Sequence, residues 1–147
     1  MSRREYPPRP VPAVAGVIFE KDSVLLARRA AEPALGEWSL PGGVVELGET
    51  LFQALERELF EEAGVKIQVG GLVHVAERIV RDCDGRIRFH YVIADYWGNI
   101  ASGRPTAGSD VKDVCLVPLE RIASLPLAPE VKSVIVKAAG LRAQSCA

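Results

Sequence analysis

Short apolar runs begin after residue 10 and predict the first pair of strands. Val14 to Phe19 and Ser23 to Ala27 flank the polar segment 20–22, which is typical of two strands joined by a tight turn. Residues 1–10 contain three prolines, which exclude a regular helix and a central strand. We therefore expect an extended N-terminal arm over 1–10, followed by a β-hairpin.

A second hairpin is predicted in the middle of the chain. Residues 69–80 and 86–97 have strand-like composition, and the segment 81–85 ends in an Asp-Gly pair that favours a hairpin turn. The loop 101–110 is rich in Gly, Ser and Pro, and a further strand is predicted over 114–117.

The segment from Thr50 to Ala63 has the spacing of an amphipathic helix. Its apolar residues recur three, four and seven positions apart: Leu51, Phe52, Leu55, Leu59 and Ala63. Thr50 and Gln53 have the form of a capping box, and Gly64 stands where a left-handed C-terminal cap is expected. Both ends of this helix are therefore predicted from local chemistry.

A last helix is predicted from Pro129 to Ala139, with Gly140 just past its end. We found no internal repeats and no low-complexity segment. The expected organisation is one domain over 11–140, with a C-terminal tail over 141–147.

Composition narrows the class of protein without identifying it. The chain has 147 residues and a net charge of -1, so it has no overall positive charge that would attract nucleic acid or anionic lipid. The apolar run 11–19 is too short to span a bilayer, and the basic start lacks the apolar core of a secretory signal. We expect a cytoplasmic protein.

Cys83, Cys115 and Cys146 are widely separated and fit reduced structural thiols.

The chemistry-bearing residues lie in and before the first helix. The segment begins at Gly43, and its defining residues are Glu49, Arg57, Glu58, Leu59, Glu61, Glu62, Gly64 and Val65. On a helix Glu58, Glu61 and Glu62 occupy positions i, i+3 and i+4, so their carboxylates share one face. They would repel one another, and oxygen-only ligands of this kind favour Mg²⁺, or Mn²⁺ in its place.

This segment matches the Nudix box at every defining position, and the chain is identified as a member of the Nudix hydrolase family. The resemblance extends upstream to LLARR, Trp38 and the segment 40–43. A solvated acidic face would be the ordinary interpretation of such a helix, but the surrounding motif argues against it. The resemblance implies an α/β protein with the Nudix fold, a mixed β-sheet sandwiched between α-helices, and metal-dependent hydrolysis of a phosphoanhydride bond.

The resemblance also assigns roles within the motif. Glu58, Glu61 and Glu62 are expected to ligate the metal, with Glu61 and Glu62 also catalytic. Glu49 is expected to help position or ligate the metal, and Arg57 to orient the carboxylates. The backbone carbonyl of Gly42 is a further expected ligand, and the pair of glycines at 42–43 leaves room for a close approach. The number of metal ions is left open.

Other residues carry weaker signals. An arginine after the second strand is expected to meet substrate phosphate, and Arg29 or Arg28 would serve. We assign no functional role to three further groups of residues, because a structural role explains each of them more simply. They are the arginines at strand ends (Arg78, Arg86, Arg88), the histidines (His74, His90) and the aromatic residues (Trp38, Tyr91, Tyr96, Trp97).

The general base stays open at this point. Nudix hydrolases often take it from an acidic residue beyond the box, and Asp110 and Asp113 occupy that region. Exposed aspartates in loops are also common for turn chemistry alone. Glu61 or Glu62 could activate the water instead.

The expected substrate is a small nucleotide. LLARR, GEWSLPGG and HYVIADYW look most like bacterial ADP-ribose pyrophosphatases, which implies products AMP and ribose 5-phosphate. Val80 and Arg81 stand where one ADP-ribose subgroup has proline and dinucleoside polyphosphate hydrolases have tyrosine, so the substrate stays open. The alternative is a nucleoside triphosphate pyrophosphohydrolase that removes damaged nucleotides, which the RRAA run at Arg28 to Ala31 supports. A non-catalytic Nudix sensor of transcription should have a degraded box and a DNA-binding module, and the residues after Gly140 are too few for a winged helix.

The resemblance also implies a homodimer.

Overall fold

The computed structural model describes residues 4–108 and 111–145. The elements in chain order are β1 (Val11–Glu20), β2 (Ser23–Arg29), β3 (Trp38–Ser39), β4 (Gly42–Val44), α1 (Leu51–Ala63), β5 (Lys66–Arg81), β6 (Ile87–Ser102), β7 (Val111–Pro118), a 3-10 helix (Leu119–Ser124) and α2 (Pro129–Ser145). The predicted hairpins are confirmed as β1–β2 and β5–β6.

Strand β1 is the centre of one mixed sheet. It pairs in parallel with β6 along its length. On its other edge it pairs with β4 through its first half and with β2 at its end, both antiparallel. Strand β2 also pairs with β3 and β7, and β6 pairs with β5. The short strand β4 is thereby placed directly against the middle of the molecule.

The two helices lie on opposite faces of this sheet. Leu55 and Leu59 of α1 pack with Val14 and Ile18 of β1 in one apolar cluster. Ala15 and Val17 of β1 point the other way, and Val17 packs in a second cluster with α2. The predicted α/β architecture, a mixed sheet between helices, is confirmed.

Both predicted ends of α1 are confirmed. The Thr50 side chain accepts a hydrogen bond from the backbone N–H of Gln53, and the Gln53 side chain accepts one from the N–H of Thr50. Gly64 has a left-handed φ of +69° and donates its N–H to the carbonyl of Phe60. Local sequence therefore determines where the acidic helix begins and ends.

Several strand boundaries were not predicted. Strands β5, β6 and β7 extend beyond 69–80, 86–97 and 114–117, because pairing continues past the residues of high strand propensity. Strands β3 and β4 are two and three residues long, too short for any periodic signal.

The predicted end of the last helix is wrong. Helix α2 continues through Gly140 to Ser145, so the expected boundary between domain and tail at 140–141 falls inside it. Arg142 supports the extra turn, since its side chain donates to Asn99 and to the backbone carbonyl of Lys21. A tertiary contact outweighs the helix-ending tendency of glycine.

The N-terminal arm lies against the β5–β6 hairpin. The backbone N–H of Tyr6 donates to the carbonyl of Arg88, and its hydroxyl donates to Asp82. Cys83 and Cys115 are free thiols, while Cys146 lies outside the described residues. Neither α1 nor α2, nor any other helix of the described ranges, is long and apolar enough to cross a membrane.

The continuation of α2 predicts that Gly140→Ala stabilises the protein. Alanine has the higher helix propensity, and a Cβ at this position would meet nothing within 4 Å; the expected gain is about 0.5–1 kcal/mol in the free energy of unfolding. Urea unfolding measures it. Gly64→Ala is the control, because its left-handed φ predicts a loss of about 1 kcal/mol. A loss in both variants would mean that the helix ends at Gly140.

Candidate active site

One cleft of about 1300 Å³ lies beside the glycine strand β4. Its lining comes from the sheet face that carries α2, from the segment before β3, and from the acidic residues of α1. The charged residues that line it are Arg4, Arg29, Glu37, Glu58, Glu62, Glu77, Arg78, Asp95, Glu130 and Lys137. Acidic and basic side chains therefore share one concave surface.

Glu58 and Glu62 form a buried carboxyl pair in this cleft. Their residues are 8% and 7% exposed, and both line the cleft. Burial, followed by the hydrogen bond and charge of Glu58, raises the pKa of Glu62 to about 9. The backbone N–H of Gly42 donates to Glu62 Oε1 at 3.4 Å. In the absence of a cation, the pair holds a proton at neutral pH.

Gly43 makes room for this pair. A Cβ on residue 43 would overlap all three heavy atoms of the Glu58 carboxylate. The side chain of Glu58 therefore lies directly against the backbone of β4, which only glycine allows. The two glycines place a peptide backbone beside two acidic side chains.

Arg57 organises the remaining carboxylates. Its Nε and Nη2 donate to the two oxygens of Glu49, at 2.6 and 3.0 Å. Its Nη1 donates to Glu58 at 2.8 Å, and Nη2 also donates to the carbonyl of Val44 at 3.0 Å. The hydrogen bond from Arg57 lowers the pKa of Glu49, while that interaction raises the pKa of Arg57. Arg57 thus joins the loop before α1 to the acidic pair, as the resemblance implied for a positioning role.

Glu61 is more exposed than the pair, although it accepts from the same Arg57 nitrogen as Glu58. Its side chain is 48% exposed and accepts a hydrogen bond from Arg57 Nη1 at 3.2 Å. Within residues 4–108 and 111–145, no three His, Cys, Asp or Glu side chains are already gathered as a metal site. The structure therefore brings together two of the three carboxylates expected to converge.

The residues present fit a hard divalent cation. Glu58 and Glu62 supply adjacent oxygens in a cleft, and the shared proton marks a place where two negative charges cannot coexist unaided. Gly43 lets the Glu58 carboxylate lie against the backbone of β4, and both glycines line the same cleft as the pair. The donor set contains oxygen only, which favours Mg²⁺ or Mn²⁺ over softer ions.

The two candidate arginines have different surroundings. Arg29 lines the cleft, and burial, followed by the nearby charge of Arg78, lowers its pKa. Its Nε donates to the carbonyl of Pro33 at 2.6 Å. Arg28 is exposed, donates to the carbonyl of Gly36 and is outside the cleft lining. Position in the cleft therefore favours Arg29 for contact with substrate.

Sequence reasoning missed the other cations of the cleft. Arg78 was interpreted as an ordinary strand-end residue, and Arg4 belongs to an arm given no function. Both lie near enough to Arg29 to lower its pKa. No local signal marks them, because strands β2 and β5 and the arm meet only in the folded chain.

The aromatic and acidic candidates divide between cleft and core. Trp38 and Tyr91 line the cleft. Tyr96 and Trp97 pack in the clusters under α1 and α2, respectively. Asp113 is exposed, lies in β7 opposite Arg28 and accepts the N–H of Val114, so it is a strand residue and not part of a turn. Asp110, the other candidate base beyond the box, lies outside the described residues.

Asp95 is an acidic residue of the cleft that sequence reasoning did not single out. It is 5% exposed, and burial raises its pKa to about 7. In the sequence it is a single aspartate within an apolar strand, which does not by itself indicate a functional site. Its position becomes informative only because the folded strand lines a cavity.

Asp95→Asn is expected to stabilise the metal-free protein at pH 8. Because the pKa of Asp95 rises from 3.8 to about 7 on folding, the folded state holds a proton that the unfolded state has lost, and stability falls as pH rises through this window. Asparagine removes that loss, which is on the order of a few kcal/mol. Urea unfolding in EDTA at pH 4.5 and pH 8 measures it. An equal effect of the substitution at both pH values would contradict the prediction.

Comparison with known proteins agrees with this geometry. The model of the NUDIX domain family matches residues 9–138. The Nudix domain of Shewanella oneidensis NrtR, solved in complex with ADP ribose, superposes with a TM-score of 0.70 at 26% identity, covering 90% of this chain and 88% of that one.

Two curated relatives have named activities. The chain is 35% identical to the ADP-ribose pyrophosphatase of Methanocaldococcus jannaschii over 79% of this chain and 66% of that protein. It is 43% identical to the human 8-oxo-dGDP phosphatase NUDT18 over 44% of this chain and 20% of that protein. The matched part is thus less than two thirds of either relative. With a family match over nearly its whole length and the Nudix fold around an acidic helix, the chain belongs to the Nudix hydrolase family.

Proposed function

We propose that this protein hydrolyses the phosphoanhydride bond of a nucleoside diphosphate derivative, and that ADP-ribose is its substrate. The observation that carries the proposal is the Glu58–Glu62 pair, which lies in the same cleft as Gly42 and Arg29. Oxygen ligands for a cation and a guanidinium for phosphate thereby face one volume.

Glu58, Glu62 and the carbonyl of Gly42 would hold the cation, with Glu61 as a further ligand if its exposed side chain turns towards the pair. A divalent cation bound there supplies positive charge that neutralises the pyrophosphate and makes a water acidic enough to attack at neutral pH. Arg57 keeps Glu58 and Glu49 in place through its hydrogen bonds.

The reaction adds one water across the anhydride. The water oxygen forms a bond to one phosphorus, the bond from that phosphorus to the bridging oxygen breaks, and the bridging oxygen leaves on the other phosphate. From ADP-ribose the products are AMP and ribose 5-phosphate. Arg29 would bind phosphate oxygens through its guanidinium donors. The proton of the attacking water passes to a carboxylate, with Glu61, Glu62, Asp110 and Asp113 as the candidates.

Two comparisons support ADP-ribose. One relative is named an ADP-ribose pyrophosphatase, and one Nudix domain of the same fold was solved with ADP ribose. The alternative, removal of damaged nucleotides, is supported by the relative named an 8-oxo-dGDP phosphatase. The homodimer and the cytoplasmic location stay predictions.

A substrate panel tests the proposal directly. Purified protein with MgCl₂ is incubated with ADP-ribose, other nucleotide sugars, dinucleoside polyphosphates, 8-oxo-dGTP and 8-oxo-dGDP, and the products are separated by chromatography. We expect AMP and ribose 5-phosphate from ADP-ribose at the highest kcat/KM, and no product in EDTA. Preferred cleavage of the oxidised nucleotides would support the alternative. Tight binding of ADP-ribose without turnover would favour a sensor.

Glu62→Gln is expected to reduce kcat by at least about a hundredfold, because an amide is a poorer ligand for a hard cation than a carboxylate. The melting temperature should stay at or above the wild-type value, since a buried carboxyl is replaced by a neutral group of the same shape. Glu56→Gln on the exposed face of the same helix is the matched control and should leave kcat unchanged. Near-wild-type, magnesium-dependent turnover by Glu62→Gln would contradict the site assignment.

A further inference from the structure

Asp95 is a buried carboxylate that the proposed hydrolysis does not use. It is 5% exposed and lines the cleft. Within the described residues, no hydrogen bond is donated to the Asp95 side chain. Each side-chain oxygen of these residues that lacks a hydrogen bond is in contact with solvent. The Asp95 oxygens are therefore open to the cleft, and burying them carries a desolvation cost that no described donor offsets.

The register of the sheet fixes the position of Asp95 relative to the carboxyl pair. Gly42 of β4 lies opposite Ala15 of β1, and Ala15 lies opposite Asp95 of β6. Two strand spacings separate Asp95 from Gly42, a distance of about 10 Å. The N–H of Gly42 points away from β1 to Glu62, so the proposed cation site lies beyond Gly42 and more than this distance from Asp95.

The floor beside Asp95 carries a small side chain. Residues opposite each other in a sheet point to the same face, so Ala15 and Asp95 share the cleft floor, and Gly42 lines the same cleft. Ala15 has only a methyl group. A ligand group can therefore lie over Ala15 and reach Asp95.

The charges of the cleft orient such a ligand. An ionised carboxylate only accepts hydrogen bonds and repels phosphate. Arg29 and Arg78 lie close to each other and to Tyr91, which precedes Asp95 by four residues on β6. Phosphate oxygens are therefore favoured near the arginines and the carboxyl pair, and hydrogen-bond donors are favoured at Asp95.

We infer that Asp95 is a specificity-determining residue that accepts hydrogen bonds from hydroxyl or amino groups on the nucleoside or sugar part of the substrate. This inference rests on the proposed function, because it takes the pyrophosphate to lie at Glu58 and Glu62. Asp95 holds the substrate and takes no part in the bond-breaking step.

The test compares Asp95→Asn and Asp95→Ala with wild type on three substrates. They are ADP-ribose, its inosine analogue, which lacks the adenine amino group, and 2′-deoxy-ADP-ribose, which lacks one hydroxyl. Asp22→Asn is the matched control, since Asp22 is exposed in the β1–β2 turn, away from the cleft. Melting temperatures of all variants establish that they are folded.

We expect Asp95→Ala to raise KM for ADP-ribose about tenfold, with kcat within about twofold of wild type, because a charged hydrogen bond is lost in ground and transition state alike. Wild type should disfavour the analogue that lacks the recognised donor, and Asp95→Ala should lose that preference. The analogue affected identifies the donor as the base or the sugar. Unchanged KM and preference, or a fall in kcat with constant KM, would overturn the inference.

Calorimetric titration of ADP-ribose into protein in EDTA separates this inference from the proposed function. If wild type binds ADP-ribose but hydrolyses nothing, the hydrolase proposal fails, and weaker binding by Asp95→Ala still supports recognition by Asp95. If the variant binds as tightly as wild type, or if wild type does not bind, the inference fails whatever the hydrolysis assay shows.

Discussion

The repulsion between two carboxyl groups held side by side in a buried position is the constraint on which this site depends. Glu58 and Glu62 are adjacent because they are one helical turn apart, and burial deprives them of the water that would screen them. Arg57 binds Glu58 and Gly42 donates one weak hydrogen bond to Glu62, while burial and the neighbouring Glu58 raise the pKa of Glu62, so that the pair favours one proton. A divalent cation would replace that proton, and so the pair is built for a ligand of double positive charge.

Strand β1 makes this arrangement part of the fold. Its first half carries β4 on one edge and β6 on the other, so the glycines beside the carboxyl pair and Asp95 are positioned by the same backbone. Helix α1 packs on one face of β1 and α2 on the opposite face. A shift of β1 by one residue would exchange its two faces and would separate the glycines from the helix.

The cleft combines charges from parts of the chain that are far apart in sequence. Arg4 comes from the arm, Arg29 from β2 and Arg78 from β5, and they gather near Tyr91. Within the described residues none of the three is in an ion pair, although Arg29 Nε donates to the carbonyl of Pro33. The carboxyl pair and Asp95 line the same cleft, so its acidic and basic side chains occupy different parts of one surface.

The sequence by itself determined the elements whose signals are local: the β1–β2 hairpin, helix α1 with both caps, and the spacing that places acidic residues on one helical face. Tertiary structure decided what depends on contacts between distant segments. It extended α2 through Gly140, formed the short strand β4 against β1, left Glu61 exposed while Glu58 and Glu62 became buried, and brought Arg29 and Asp95 into one cleft. Periodicity and capping act over a few residues, whereas strand pairing and burial are properties of the whole sheet.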